Sequence, residues 1–321
     1  MPSIGDGKIS ATVQPRPEDY AYDLDRALQS VVGLRATMPQ DAFTAQTLGT
    51  ERAGHGVLIR DSGLVLTIGY LITEADQIWL HLADGRAVAG TPIGYDQETG
   101  FGLVQALGRV DLPALPLGHS SAVAIGDDVV LGGAGGRKRS VAARVVGKQE
   151  FAGYWEYVLD EAIFTAPSHP NWGGTALIGQ SGELLGIGSL QLEANNGGDI
   201  NMVVPIDLLK PILDDMLTFG TRKGPVRPWL GMYVADTEDR LVVMGLANRG
   251  PAQRARIDTG DIVIAVKGQP VESLADLFRK IWSMGHAGAD VPLTLVRDGR
   301  SLDIVVKSAD RNAFLKTPRM H

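Results

Sequence analysis

The side chains best suited to chemistry lie between positions 168 and 179, in the stretch SHPNWGGTALIG. Ser168 and Thr175 carry hydroxyl groups, and His169 carries an imidazole. A hydroxyl beside an imidazole can attack a carbonyl carbon, because the imidazole takes up the hydroxyl proton. Two interpretations follow: a displaced acyl-transfer site, or a turn serine, a loop histidine and a strand-start threonine without chemistry. We favour the second, and for His55 we likewise expect a surface or strand position.

The composition is that of a globular β-rich protein. Hydrophobic residues make up 44% of the 321 residues and charged residues 21%, and 40 glycines accompany only 6% aromatics. The net charge of −7 weighs against nucleic acid or an anionic membrane as the main partner. The chain has no cysteine, which excludes disulfides, thiolate metal sites and a cysteine nucleophile. No metal or organic cofactor is indicated.

Short apolar runs from position 54 onwards predict the elements that must position these residues. The stretch GHGVLIRDSGLVLT contains two such runs around the turn residues RDSG, and Asp84-Gly85 marks a second hairpin turn. Further short strands follow between Gly-rich turns, which is typical of a barrel or a sandwich. Apolar stripes predict helices over 18–30, over the segment before Gly220, and over 273–282 with Ser273 as the cap.

These patterns divide the chain into five segments, with the main boundary at the Gly-, Pro- and charge-rich stretch GTRKGPVRP. The predicted segments are 1–48 (an N-terminal extension with a disordered start), 49–220 (the barrel domain), 221–228 (a linker), 229–310 (a compact smaller domain) and 311–321 (a tail).

Five stretches in order resemble the HtrA (DegP-like) family. They are GHGVLIRDSGLVLT, LADGR (82–86), SGELLGIGS (181–189), WLGM (229–232) and GPAQRARIDTGDIVIAVKGQPVESLADL. The resemblance covers about 54–308. It implies a mainly β protein: a chymotrypsin-like double β-barrel followed by a PDZ domain, here with an N-terminal helical extension.

The resemblance also assigns the three positions of the family's catalytic triad. Its histidine, aspartate and serine fall on Tyr70, Gly100 and Gly173, and its Gly-Asn-Ser-Gly-Gly loop falls on Asn-Trp-Gly-Gly-Thr at 171–175. A tyrosine, with a pKa near 10, is a poor general base at pH 7, and glycine offers no nucleophile. The resemblance thus implies a serine-endopeptidase fold with no catalytic residues, in which the backbone N–H groups of 171–173 could still form an anion-binding nest.

Two aromatic residues are expected to change the ancestral cleft. Tyr70 could fill the space of the missing histidine, and Trp172 could fill the former substrate site. We therefore expect the two side chains to meet in a closed or remodelled cleft.

The PDZ-like segment retains its family pattern more fully. By resemblance, Trp229, Leu230, Gly231 and Met232 form the loop whose N–H groups receive a peptide carboxylate, and Leu274 and Phe278 line the groove. The alternative is a domain that only packs against the barrel or a neighbouring subunit.

These observations predict an HtrA-like pseudoprotease that binds a protein or peptide segment, such as a C-terminus, as a binding or scaffold protein. Family resemblance favours a homo-oligomer, a trimer, with Tyr20 and Tyr22 in the N-terminal helix as assembly residues. Two alternatives remain open: an active endopeptidase with a relocated nucleophile, and a structural subunit of a larger enzyme complex. The N-terminus has no apolar run resembling a signal-peptide core, so we expect a cytoplasmic protein, or a periplasmic one if Met1 follows a removed leader.

Overall fold

The computed structural model describes residues 8–194, 197–237 and 240–316. It divides the chain into two compact units, the second of which contains Glu150–Asp160 and Gly224–Leu315. The other described residues form the first unit. The second unit is therefore discontinuous in sequence, which corrects the prediction of one uninterrupted barrel domain over 49–220.

Six strands close the first barrel of the first unit, in the order β1-β2-β3-β6-β5-β4. They are β1 (Val31–Thr37), β2 (Glu51–Arg60), β3 (Leu64–Ile68), β4 (Gln77–His81), β5 (Ala87–Tyr95) and β6 (Phe101–Ala106). The first predicted hairpin is present, since Val57 pairs with Leu66 across β2 and β3, and Gly63 has a φ of +86° in the turn between them.

The N-terminal extension is shorter than predicted. The expected helix over 18–30 is a 3₁₀ turn at Pro17–Asp19 and a short helix, α1, at Leu24–Gln29. Asp23 begins α1 by accepting a hydrogen bond from the N–H of Arg26. Strand β1 follows at once and joins the barrel, so the barrel begins near position 31 rather than 49.

A second six-stranded barrel follows, in the order β10-β11-β12-β9-β8-β7. Its strands are β7 (Asp128–Gly132), β8 (Val141–Gly153), β9 (Tyr157–Ala166), β10 (Ala176–Ile178), β11 (Leu184–Glu193) and β12 (Asp199–Pro205). Its core is made of buried aliphatic side chains, among them Val129, Leu131, Val141, Leu177, Leu185 and Val203. A short helix, α2 (Ala45–Leu48), lies between β1 and β2.

Helix α3 (Leu213–Phe219) ends the barrel region. Gly220 adopts the left-handed conformation as its C-terminal cap, as its position predicted. The predicted linker 221–228 is only partly free of the first unit. Arg222 donates to Asp96 at 2.7 Å and to Glu98 at 2.7 Å, which holds the start of that segment against the barrel.

In its described residues, the second unit is a sheet with two α-helices. The main strands run in the order β13-β14-β15-β17-β18, and β16 pairs with β15. Its elements are β13 (Met232–Thr237), β14 (Arg240–Leu246), α4 (Pro251–Arg254), β15 (Ile262–Val266), β16 (Gln269–Pro270), α5 (Leu274–Trp282), β17 (Asp290–Arg297) and β18 (Arg300–Lys307). Ser273 caps α5 as predicted, by accepting from the N–H of Asp276.

The predicted tail 311–321 is ordered where the structure describes it. A 3₁₀ turn at Arg311–Phe314 places the Phe314 ring 5.0 Å from the ring of Trp229. Among the described residues, no helix is both long and apolar enough to cross a membrane.

Candidate functional site

Tyr70 stands in a 3₁₀ turn, Gly69–Leu71, directly after β3. The buried Arg52 guanidinium holds this turn by donating to the Tyr70 carbonyl oxygen at 2.6 Å. The Tyr70 hydroxyl donates to the Ser189 carbonyl oxygen at 2.9 Å, and the Trp172 side chain lies close enough to the phenol to oppose part of the effect of burial on its pKa. Burial raises the pKa of Tyr70 further above its usual 10. The phenol therefore stays protonated near neutral pH and cannot act as a general base.

The three positions that the resemblance assigned to a triad lie close together. A Cβ built on Gly173 would lie 2.7 Å from the Tyr70 hydroxyl oxygen, a separation that real Cβ atoms essentially never show. The Gly100 carbonyl oxygen accepts from the N–H of Gly69 at 2.6 Å, so Gly100 adjoins the turn that carries Tyr70. Its φ of +82° is one that side-chain-bearing residues rarely adopt.

The Trp172 side chain lies close enough to the Tyr70 phenol to affect its pKa, so the two side chains that were predicted to meet are neighbours. Because the phenol also reaches the Ser189 carbonyl, it spans from the first barrel to β11 of the second. Any side chain added at Gly173 would have to displace this phenol.

Two buried histidines lie beside this region, with ring centroids 5.5 Å apart in a T-shaped arrangement. His169 accepts from the N–H of Asn171 through Nδ1 at 3.1 Å and donates through Nε2 to the Arg139 carbonyl at 2.8 Å. His55 Nδ1 accepts from the N–H of Ala134 at 3.1 Å. Burial lowers the pKa of both imidazoles, to about 3 for His55. His55 is thus a buried strand residue, not a surface one, and both rings are neutral.

The engaged N–H of Asn171 bears on the predicted anion-binding nest. In chymotrypsin-like proteases the oxyanion hole uses the N–H of the nucleophile and of the residue two before it. On the register of the resemblance these are Gly173 and Asn171. Since the Asn171 N–H donates to His169, it is turned toward the interior and away from an incoming anion.

Neither of the two hydroxyls considered as a relocated nucleophile has a free base beside it. Thr175 is buried, and its Oγ1 donates to the Trp172 carbonyl oxygen at 2.9 Å. Ser168 is half-buried next to His169 in sequence, but both ring nitrogens of His169 are already engaged. His169 therefore has no open position at which to take a proton from Ser168.

The carboxylate-binding loop predicted in the second unit is occupied by the chain itself. The N–H groups of Leu230, Gly231 and Met232 donate to Oε1 of Glu156 at 3.1, 2.6 and 3.1 Å. The N–H of Leu230 also donates to Oε2 of Glu156 at 3.1 Å. Glu156 is buried, and its burial raises the pKa of its carboxyl to about 7, against the opposing effect of these donors and of Arg311.

The other predicted groove residues divide into two groups. Leu274 and Phe278 lie on α5 and share one buried apolar cluster with Leu230 and Met232. Trp229 instead pairs with Ala309 through its backbone and packs its ring against the C-terminal 3₁₀ turn. The structure therefore brings five of the six predicted residues to the loop or the cluster and gives Trp229 an anchoring contact.

Sequence reasoning missed Glu156. The stretch YWEYVLD (154–160) has the composition of one of the short strands, whereas the structure has a turn at 154–156 before β9 begins at Tyr157. The one local signal was an acidic residue set within the aromatic run of FAGYWEY. In the parts of the chain that the structure describes, no group of three acidic or histidine side chains is arranged to hold a metal ion.

Comparison with known families identifies two domains. A model of the trypsin-like peptidase domain matches residues 54–187, and a model of the PDZ domain matches residues 228–307.

Comparison with characterised sequences finds proteases of one type. A probable periplasmic serine protease do/HhoA-like of Haemophilus influenzae is 29% identical over 82% of this chain and 60% of its own length. The periplasmic serine endoprotease DegP of Escherichia coli is 28% identical over 78% of this chain and 56% of its own. The chain thus spans 56–60% of the length of these relatives. The serine endoprotease DegS of Salmonella typhimurium is 25% identical over 95% of this chain and 91% of its own.

Among solved structures, the HtrA-type protease AlgW with a tripeptide matches with a TM-score of 0.53 and 22% identity. The match covers 92% of this chain and 97% of that one. At this identity the match shows a shared fold.

Proposed function

Because the chain is homologous to the HtrA-type serine proteases DegP and DegS, with their trypsin-like peptidase domain and PDZ domain, we propose that it is a non-catalytic, peptide-binding or scaffold member of that family. The observation that carries the proposal is the contact between positions 70 and 173. A protonated phenol stands within 2.7 Å of where a nucleophile's Cβ would be. Neither a proton acceptor nor a nucleophile is provided there.

The engaged loop backbone supports the same proposal. Without a triad, a chymotrypsin-like site keeps only about 10³–10⁴-fold acceleration over water from its oxyanion hole and binding contacts. With the Asn171 N–H donating to His169, part of that residual contribution is lost as well. Useful peptide hydrolysis is not expected from such a site.

The competing function is an active endopeptidase with a relocated nucleophile, as the activity of its relatives suggests. The bonds of His169 argue against this alternative, since neither ring nitrogen is open to act as a base. The third possibility, a structural subunit of a larger enzyme complex, predicts one stoichiometric partner rather than many peptides. Pull-down from the native source followed by mass spectrometry distinguishes one stoichiometric partner from many bound peptides.

We base the proposed cellular location of the protein on the names of its relatives, and its proposed assembly on the family resemblance. The relatives from Haemophilus influenzae and Escherichia coli are named periplasmic, which favours the periplasm and does not support the cytoplasmic expectation. A homo-oligomer, a trimer by resemblance, is proposed with Tyr20 and Tyr22 as contact candidates. The two rings lie 5.5 Å apart, and Tyr22 packs against Gly182 of its own chain. Light scattering of the purified protein measures the oligomeric state.

A direct test uses unfolded casein and a serine-directed fluorophosphonate probe. We expect intact casein and no labelling of this chain under conditions in which Escherichia coli DegP cleaves and is labelled. Cleavage together with labelling would refute the proposal. A Ser168→Ala variant run in parallel then shows whether Ser168 is the relocated nucleophile.

A further inference from the structure

The tip of the β8–β9 hairpin lies in the second unit in the manner of a bound peptide. Residues Glu150–Asp160 cluster with Gly224–Leu315, although residues 161–223 separate them in sequence. The Glu156 carboxylate takes the place of a peptide's terminal carboxylate on the N–H groups of the loop 230–232. A buried backbone N–H that loses its acceptor costs free energy, so these three bonds favour the docked tip.

The main chain of the tip also resembles that of a bound peptide. The Val234 N–H on β13 donates to the Tyr154 carbonyl oxygen at 3.0 Å, two residues before Glu156. Peptides that add a strand to a sheet edge use this pattern of main-chain hydrogen bonds beside the terminal carboxylate. The rings of Tyr154 and Tyr233 also meet, with centroids 6.1 Å apart.

Apolar and charged contacts hold the arms of the hairpin. Val158 is buried in the apolar cluster that contains Leu274 and Phe278. Arg279 on α5 pairs with Glu150 and Asp160, each at 2.5 Å, one on each side of the tip. These ion pairs are partly exposed, so they orient the hairpin more than they stabilise it.

The backbone of Glu156 indicates that this position is specified rather than incidental. Its φ is +61°, in the left-handed region that residues with a side chain rarely adopt. A strained residue persists only where surrounding contacts outweigh the strain, and here those contacts are the three N–H donors of the loop.

We propose that Glu156 is an internal ligand of the PDZ carboxylate-binding loop, and that a peptide with a free C-terminal carboxylate must displace it to bind. The inference rests on the proposed peptide-binding function and specifies its regulation. The groove is held closed by a carboxylate of the same chain, and a competing carboxylate opens it. Only the fraction of molecules with the tip released is competent to bind, which lowers the apparent affinity by that fraction.

The test compares the intact protein with Glu156→Ala and with Glu161→Ala as a matched control. Glu161 is an exposed acidic residue of the same hairpin whose carboxylate pairs with Lys148 and contacts neither the loop nor α5. The probe is a fluorescent decapeptide library with random terminal residues, offered with a free or an amidated C-terminus. We expect Glu156→Ala to bind the free-carboxylate library at least about tenfold more tightly than the unaltered protein, and Glu161→Ala to match the unaltered protein.

Hydrogen exchange of the amides of 230–232 provides an independent measurement. These amides should be protected in the unaltered protein and in Glu161→Ala, and should exchange faster in Glu156→Ala. Protection elsewhere in the second unit reports whether that variant is folded, and a Glu156→Gln variant, which keeps one acceptor oxygen, replaces it if it is not.

The outcomes separate the inference from the proposed function. Equal peptide affinity or equal loop protection in Glu156→Ala and the unaltered protein overturns the inference while peptide binding stands. Loop protection that depends on Glu156, with no peptide bound by any variant, confirms the internal contact but overturns both peptide displacement and the proposed peptide-binding role.

Discussion

Replacing Tyr70 with His, Gly100 with Asp and Gly173 with Ser would supply the three side chains of a serine-protease triad at the positions that the family uses. The replacement at 70 removes the phenol that would lie 2.7 Å from the new Cβ at 173, so the serine at 173 can be accommodated. The triple variant therefore asks whether the surrounding backbone is still arranged for catalysis.

The structure indicates that the backbone around the three positions is not arranged for catalysis. The N–H of Asn171 donates to His169, and loss of one oxyanion-hole donor costs about 10²–10³-fold in kcat. Gly100 has a φ of +82°, which imposes strain of about 1 kcal/mol on an aspartate and leaves its carboxylate poorly placed. A misplacement of about 1 Å costs up to about 10²-fold. Together these effects predict a kcat/KM at least about 10⁴-fold below that of an active relative.

The assay measures hydrolysis of casein and of quenched peptides by the triple variant, with Escherichia coli DegP as the active reference. Thermal unfolding and circular dichroism confirm that the variant is folded. Turnover within tenfold of DegP would show that the loop reorganises readily, and would refute the reasoning from the Asn171 hydrogen bond.

Three further predictions concern stability and pH. Gly173→Ser alone should destabilise the first unit by about 1–3 kcal/mol through overpacking, and by less in a Tyr70→Phe background that lacks the phenol oxygen; additive effects in urea unfolding would contradict this. Gly174→Ala, with φ +81° and a Cβ 1.8 Å from a β2 carbonyl oxygen, should cost at least about 3 kcal/mol, whereas Gly85→Ala, with φ +89° and nothing within 4 Å, should cost about 1 kcal/mol in the same assay. The pKa of Glu156 is about 7 when docked and near 4.5 when released, so docking binds a proton and weakens as pH rises from about 4.5 to 7. The peptide affinity of the unaltered protein should therefore rise with pH relative to Glu156→Gln, and a constant ratio would show that Glu156 does not titrate on release.

Local sequence patterns were sufficient to predict much of the fold. Helix α5 follows from its apolar stripe and its Ser273 cap, and the β2–β3 hairpin follows from two apolar runs around a polar turn. Strand β1 was missed because Val31 to Leu34 are all buried, so the strand lacks the alternation of a half-exposed one.

Contacts between distant segments could not be predicted in this way. His55 and His169 meet across two barrels, and Glu156 meets a loop that begins more than seventy residues later. Each of these residues is ordinary in its own segment, since a histidine in a strand or a glutamate after aromatic residues specifies no partner. Only the resemblance located the 230–232 loop, and nothing in that loop's sequence predicts that Glu156 binds it.

The split composition of the second unit has a consequence for biosynthesis. Residues 150–160 leave the ribosome well before Gly224–Leu315, so the sheet that receives them is completed only after the whole second barrel has been made. A fragment that starts at Gly224 would emerge with three amide hydrogens at 230–232 deprived of their acceptor and with a gap where Val158 packs. Excised PDZ fragments of this chain should consequently be less stable, and more avid for carboxylates, than the same residues within the intact polypeptide.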